Sequence, residues 1–128
     1  MSVRSKAIVA DENLIKDIIC TLTEAVGDVV YYSNSNTVAQ ADASNLSTSK
    51  VIGFIESKQS DTLCTVRIGG FITSSGLTVG SRYFLSTTPG QMSVTPPTNS
   101  GNVVVKVGTA KSTDSFHVEV ASDLVIRA

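Results

Sequence analysis

A chain of 128 residues, 41% hydrophobic and only 16% charged, holds enough apolar material for one modest core and is no disordered polyelectrolyte. Ten basic against eleven acidic residues give a formal net charge of -1, and the charges are scattered singly. That balance argues against nucleic acid as a partner, which would call for a basic excess or a dense Lys/Arg stripe. It points to protein partners. No apolar run approaches the roughly 20 residues that a membrane-crossing helix needs, so no membrane partner is expected. The first ten residues lack the hydrophobic stretch of a signal peptide, and synthesis in a reducing cytoplasm is the expectation.

In chain order, residues 1–13 read as an N-terminal arm and 14–128 as a single β domain. Between Asp11 and Leu22 the apolar residues Leu14, Ile15, Ile18, Ile19 and Leu22 recur with helical spacing. The β-branched run that follows supports a strand over Lys16–Thr23 instead, and the strand is preferred. Gly27-Asp28 turns into the strand-like VVYY of Val29–Tyr32, and Ser33–Asn36 is a turn by composition. Val51–Ile55 is a further strand. From Leu63 to Ile68 the alternation sets Cys64, Val66 and Ile68 on one face and Leu63, Thr65 and Arg67 on the other. Arg82–Ser86 is a strand leading to the turn Thr88-Pro89-Gly90-Gln91. Pro96–Gly101 is a loop, Val103–Val107 a strand, Phe116–Val120 an alternating strand with Phe116, Val118 and Val120 inward, and Leu124–Ile126 a short last strand.

A weak duplication runs through this pattern. Val26-Gly27-Asp28-Val29-Val30-Tyr31-Tyr32-Ser33 parallels Val79-Gly80-Ser81-Arg82-Tyr83-Phe84-Leu85-Ser86; Ile52-Gly53 parallels Val107-Gly108; Cys64–Ile68 parallels Phe116–Val120. The fold class expected is therefore all-β: a small barrel or sandwich built from two similar units of about 50 residues, over 26–68 and 79–120, with an N-terminal arm.

Reactive constellations are absent from the sequence. The one histidine, His117, lies on the outward side of its strand beside Glu119, with no nucleophile elbow in the chain. Cys20 and Cys64 have no metal-type spacing and read as buried reduced thiols. Asp28 reads as a turn carboxylate that accepts local backbone hydrogen bonds. No catalytic, cofactor or metal residues are assigned, and the expectation is that the chain is not an enzyme.

The phrase Val79-Gly80-Ser81-Arg82-Tyr83-Phe84-Leu85-Ser86-Thr87-Thr88-Pro89-Gly90, followed by Pro96-Pro97 and Val107-Gly108-Thr109-Ala110, resembles modules of tailed-bacteriophage virions. So does Ala25–Tyr31 with Val38–Ser44 and Val51–Phe54. These modules occur in capsid decoration proteins, head fibres and tail fibres, and the likeness covers residues 24 to 120. It implies a structural protein of the virion surface, made in the host cytoplasm, that binds the major capsid protein and its own copies, as a trimer, and stabilises the shell. The small size favours decoration (cement) over a tail, baseplate or fibre component for host attachment. So does the lack of aromatics in the expected loops 34–37, 57–61 and 95–102. The arm, with Val3, Arg4, Lys6, Ile8 and Val9, is the candidate partner-binding segment, able to add a strand to a neighbouring sheet edge.

Overall fold

A computed structural model describes residues 12–128. The described chain is all-β, with twelve strands: β1 Leu14–Ile19, β2 Val29–Asn34, β3 Thr37–Gln40, β4 Val51–Ser60, β5 Leu63–Arg67, β6 Gly70–Thr73, β7 Arg82–Leu85, β8 Met92–Ser93, β9 Val103–Val104, β10 Lys106–Ala110, β11 Ser115–Val118 and β12 Val125–Ile126. Strands β1-β3-β2-β4-β5 close a barrel; β6-β11-β10-β7-β8 form an open sheet; β12 and β9 make a two-stranded ribbon.

The two large units share one pairing scheme. In the barrel, β4 lies between β2 and β5, with β3 beside β2 and β1 beside β5. In the open sheet, β10 lies between β7 and β11, with β8 beside β7 and β6 beside β11. Gly53 faces Val30 and Gly108 faces Tyr83. At both glycines a Cβ would run into the carbonyl oxygen of the next strand, that of Arg67 for Gly53 and of His117 for Gly108. Arg67 and His117 thus correspond, two residues away from the match suggested by Cys64–Ile68 and Phe116–Val120. A slip of two preserves inward and outward faces, so alternation alone does not register it.

The helical spacing in β1 has a specific cause. Asp17 takes a left-handed backbone (φ 60) and the register against β5 shifts between Ile15 and Ile18. This bulge inserts one residue, so Ile15 and Ile18, three apart, both point into the barrel. The strand ends at Ile19, short of the expected Thr23, because Thr21 and Glu24 close a turn: the Thr21 N–H and hydroxyl both donate to Glu24 Oε1. Lys58 Nζ ties that turn to β4 by donating to the carbonyls of Thr21 and Glu24.

Two cores follow from β2 and β4 being apolar on both faces. Val30, Val38, Ile55, Cys64, Val66, Ile18 and Cys20 fill the barrel. Val29 and Phe54 point the other way, onto Tyr83, Leu85, Val107, Phe116 and Val118 of the open sheet and Val105 just before β10. Phe116 packs its ring against Phe54 at 5.4 Å and edge-on to Tyr83 at 5.5 Å. Backbone bonds stitch the same junction: Val29 N–H donates to Gly90 O, Gly90 N–H to Ala41 O, and Ala43 N–H to Ser86 O.

Four local expectations differ from what is found. Val103–Val107, read as one strand, divides at Val105 into β9, which pairs with β12, and β10, which joins the open sheet. Residues 57–60 belong to β4 rather than a loop, since the hairpin turns only at Asp61-Thr62. Ile68 lies exposed beyond the end of β5, where Gly69-Gly70 redirects the chain. Thr65, set on the face opposite Cys64 and Val66 by alternation, is buried beneath Gln59, whose Nε2 donates to its hydroxyl.

Candidate partner-binding site at an open seam

The barrel closes through a single parallel bridge, Ile19 to Thr37, with Ile19 N–H donating to Asn36 O at 2.9 Å. The corresponding closure in the second unit would join the end of β6 to the start of β8. It is not made, because β6 and β8 are the two edges of that sheet. β8 is two residues long, and the Pro89-Gly90 turn lies just before its start, so the strand does not reach back across the gap.

A groove of about 400 Å³ occupies this seam. One wall is Ser74, Ser75, Gly76 and Leu77, directly after β6; the other is Gly90, Gln91 and Met92, entering β8. Val26, Gly27 and Asp28 of the barrel and Tyr83 of β7 complete it. The turn residues that shape the walls are set by local chemistry. Gly90 (φ 80) follows Pro89 in a turn closed by Gln91 N–H donating to Thr88 O, the geometry of a Pro-Gly type II turn. Asp28 is nearly buried, and its Oδ2 accepts from Ala25 N–H at 2.9 Å and Gln40 Nε2 at 2.8 Å. Its carboxylate is thus engaged in holding the turn before β2, as its position after Gly27 suggests. The Tyr83 hydroxyl accepts from Thr78 N–H at 2.9 Å.

The two units also present matching apolar turns. Ala25–Asp28 and Thr78–Ser81 are each closed by an N–H to C=O bond, with Gly27 (φ 93) and Gly80 (φ 79) at the third place. Val26 and Val79, at the second place, are both 60% exposed. Val26 stands on the rim of the groove.

His117 lies on the outer face of the open sheet, in a cross-strand row Phe71–His117–Thr109–Arg82. Its ring stacks on Phe71 at 4.9 Å, and Lys111 Nζ sits 4.7 Å from the Phe71 ring centre. Among the described residues neither a nucleophile nor a carboxylate is bonded to His117, and the arrangement is a packing contact. No group of His, Cys, Asp and Glu able to hold a metal occurs among the described residues. Cys20 and Cys64 are free and buried in the barrel. Burial first, and the adjoining Cys20 thiol second, push Cys64 up to about 12, which keeps it a protonated, unreactive thiol.

The arm residues singled out in the sequence, Val3, Arg4, Lys6, Ile8 and Val9, lie outside the described residues. Asn13, assigned to the same arm, is attached to the body: its carbonyl accepts from Ile68 N–H at 2.7 Å. Sequence reasoning did not find the groove, because its walls are Ser, Gly and Gln in turn-like contexts and carry no chemical signature. Comparison with protein-family models, with curated proteins and with solved structures gives no match to this chain.

Proposed function

We propose that the chain is a bacteriophage structural protein, a capsid decoration (cement) protein that binds the major capsid protein of the assembled shell, stabilises it, and acts together with its own copies. The observation that carries the reading is the open seam: the second unit repeats the strand order of a closed barrel yet leaves β6 and β8 apart, with a groove between them. Unpaired strand edges beside a groove are suited to an extended segment of a partner, whose backbone supplies the missing bonds. Exposed Val26 at the rim gives such a segment apolar area to cover. Many identical sites on a shell raise the overall affinity of a small contact, and the function calls for no catalytic step.

The test is co-sedimentation of the purified protein with empty capsids and, separately, with host cell envelopes. Saturable binding to capsids at a fixed ratio to the shell subunit is the expected result. Ser75→Trp, which places an indole in the groove from an exposed position, is expected to weaken that binding at least about tenfold with unfolding unchanged. Binding to envelopes alone would reject the decoration role and move the protein to the tail. Capsid binding that is indifferent to Ser75→Trp would reject the seam as the site.

A further inference from the structure

The ribbon of β12 and β9 leaves an apolar strand uncovered. Val125 and Ile126 are 60% and 54% exposed, although both belong to a strand. Two strands of two residues each cannot bury a face by themselves. One edge of β12 is used: Val125 pairs with Val104 and Ile126 with Val103, and Arg127 continues the ladder. Arg127 N–H donates to Asn102 O at 2.8 Å, and Arg127 O accepts from Gly101 N–H at 2.9 Å. Because backbone groups alternate sides along a strand, Val125 and Arg127 direct theirs to β9. Leu124 and Ile126 then present their N–H and C=O groups at the opposite edge, where no strand pairs with them among the described residues.

The residues around that edge are complementary to themselves. In Asp123-Leu124-Val125-Ile126-Arg127, an antiparallel pairing of two copies centred on Val125 sets Asp123 of each against Arg127 of the other. The same register sets Leu124 against Ile126 as the hydrogen-bonded pairs, four bonds in all, and brings the two Val125 side chains together at the closer, non-bonded position. The charges are available for this. Asp123 is exposed and has no hydrogen-bond or ion-pair partner among the described residues. Arg127 donates from Nε to Pro97 O at 2.9 Å, which holds the side chain while its two terminal nitrogens remain for a carboxylate.

A second observation agrees. Leu124 lines a recess of about 320 Å³ together with Lys50, Val51, Val105, Ala121 and Ser122. The pairing that opposes Leu124 to Ile126 of the other copy would bring that isoleucine to the mouth of this mostly apolar recess. The geometry points to β12 as a two-fold self-association edge, whose partner is a second copy of this chain paired antiparallel about Val125. A contact of this kind is isologous: each copy gives and receives the same residues, so copies join in twos and not in the threes that the phage resemblance implies. The contact stands apart from the seam and does not depend on capsid binding.

The test is sedimentation equilibrium of the full chain over a wide concentration range. A monomer–dimer equilibrium is expected. Asp123→Arg, which opposes two arginines at each end of the pair, is expected to raise Kd at least about tenfold, and the double exchange Asp123→Arg with Arg127→Asp to restore it. Val125→Lys, at a site too exposed to unfold the chain, is expected to leave a monomer with an unchanged circular dichroism spectrum. A trimer, a monomer at every concentration, or a double exchange as weak as the single one would overturn the proposal.

Discussion

The barrel and the open sheet use one strand order for two outcomes. In the barrel, β1 and β3 meet, and the outer polar groups satisfy one another: Arg67 Nε donates to Glu56 Oε1 at 2.8 Å, and Lys58 caps two carbonyls. In the open sheet, β6 and β8 stay apart, and the position that corresponds to Arg67 holds His117, stacked on the half-exposed Phe71. The difference lies in the closing strands, since the central triplets are alike. Four residues in β3 and a bulge in β1 bring two edges together; two residues in β8 do not. A closed barrel has no edge to offer, whereas an open copy of it keeps one for a partner.

The correspondence can be broken most sharply at its glycines. Gly53→Ala and Gly108→Ala are each expected to cost about 5 kcal/mol, since a Cβ would force neighbouring backbones apart in both units. Urea unfolding reads this directly, and tolerance of one but not the other would end the equivalence. Next comes Phe116→Ala, at about 4 kcal/mol, because its ring joins the two units through Phe54 and Tyr83. The remaining transition should stay single when followed by both fluorescence and far-ultraviolet circular dichroism; separated transitions would show that the shared core does not couple the units.

Ile18→Ala empties part of the barrel interior alone and is expected to cost about 3 kcal/mol by the same measurement. Cys64 gives the barrel a pH dependence. Its thiol, ordinarily near 9, ionises at about 12 in the folded chain, so unfolding is favoured once the unfolded thiol can ionise. The stabilisation from the protonated thiol is complete below pH 9 and falls away as pH rises from 9 through 12. Urea midpoints of the wild type should fall more steeply over this range than those of Cys64→Ala; equal slopes would contradict the assignment. The smallest effect is expected at Phe71→Ala, under about 1 kcal/mol, since the ring is 49% exposed and loses only its stack and the Lys111 contact.

Much of this architecture was legible in the residues. Alternation located β5 and β11, flanking turn residues located β7, and the paired Val-Gly and Ile/Val-Gly phrases located equivalent turns and the two close-approach glycines. What escaped were features decided by tertiary contact. Thr37–Gln40 and Gly70–Thr73 become strands because β2 and β11 lie beside them, which no local pattern announces. The bulge at Asp17 produced a helical spacing inside a strand. Ile68 followed the rhythm of Cys64 and Val66 but fell past the strand's end. The seam was illegible for a different reason: it is defined by a bond between strands that is not formed.

The single bridge that closes the barrel also sets how it breathes. The Ile19 amide bonds to Asn36 O, and Asn36 Nδ2 reaches Asp17 O at 3.1 Å, so the closure depends on a few bonds at one corner. Parting that corner leaves the β2–β4–β5 ladder intact. Solvent deuterons would therefore reach the Ile19 amide through a local fluctuation, long before the amides at the centre of β4, whose exchange waits for the whole chain to unfold.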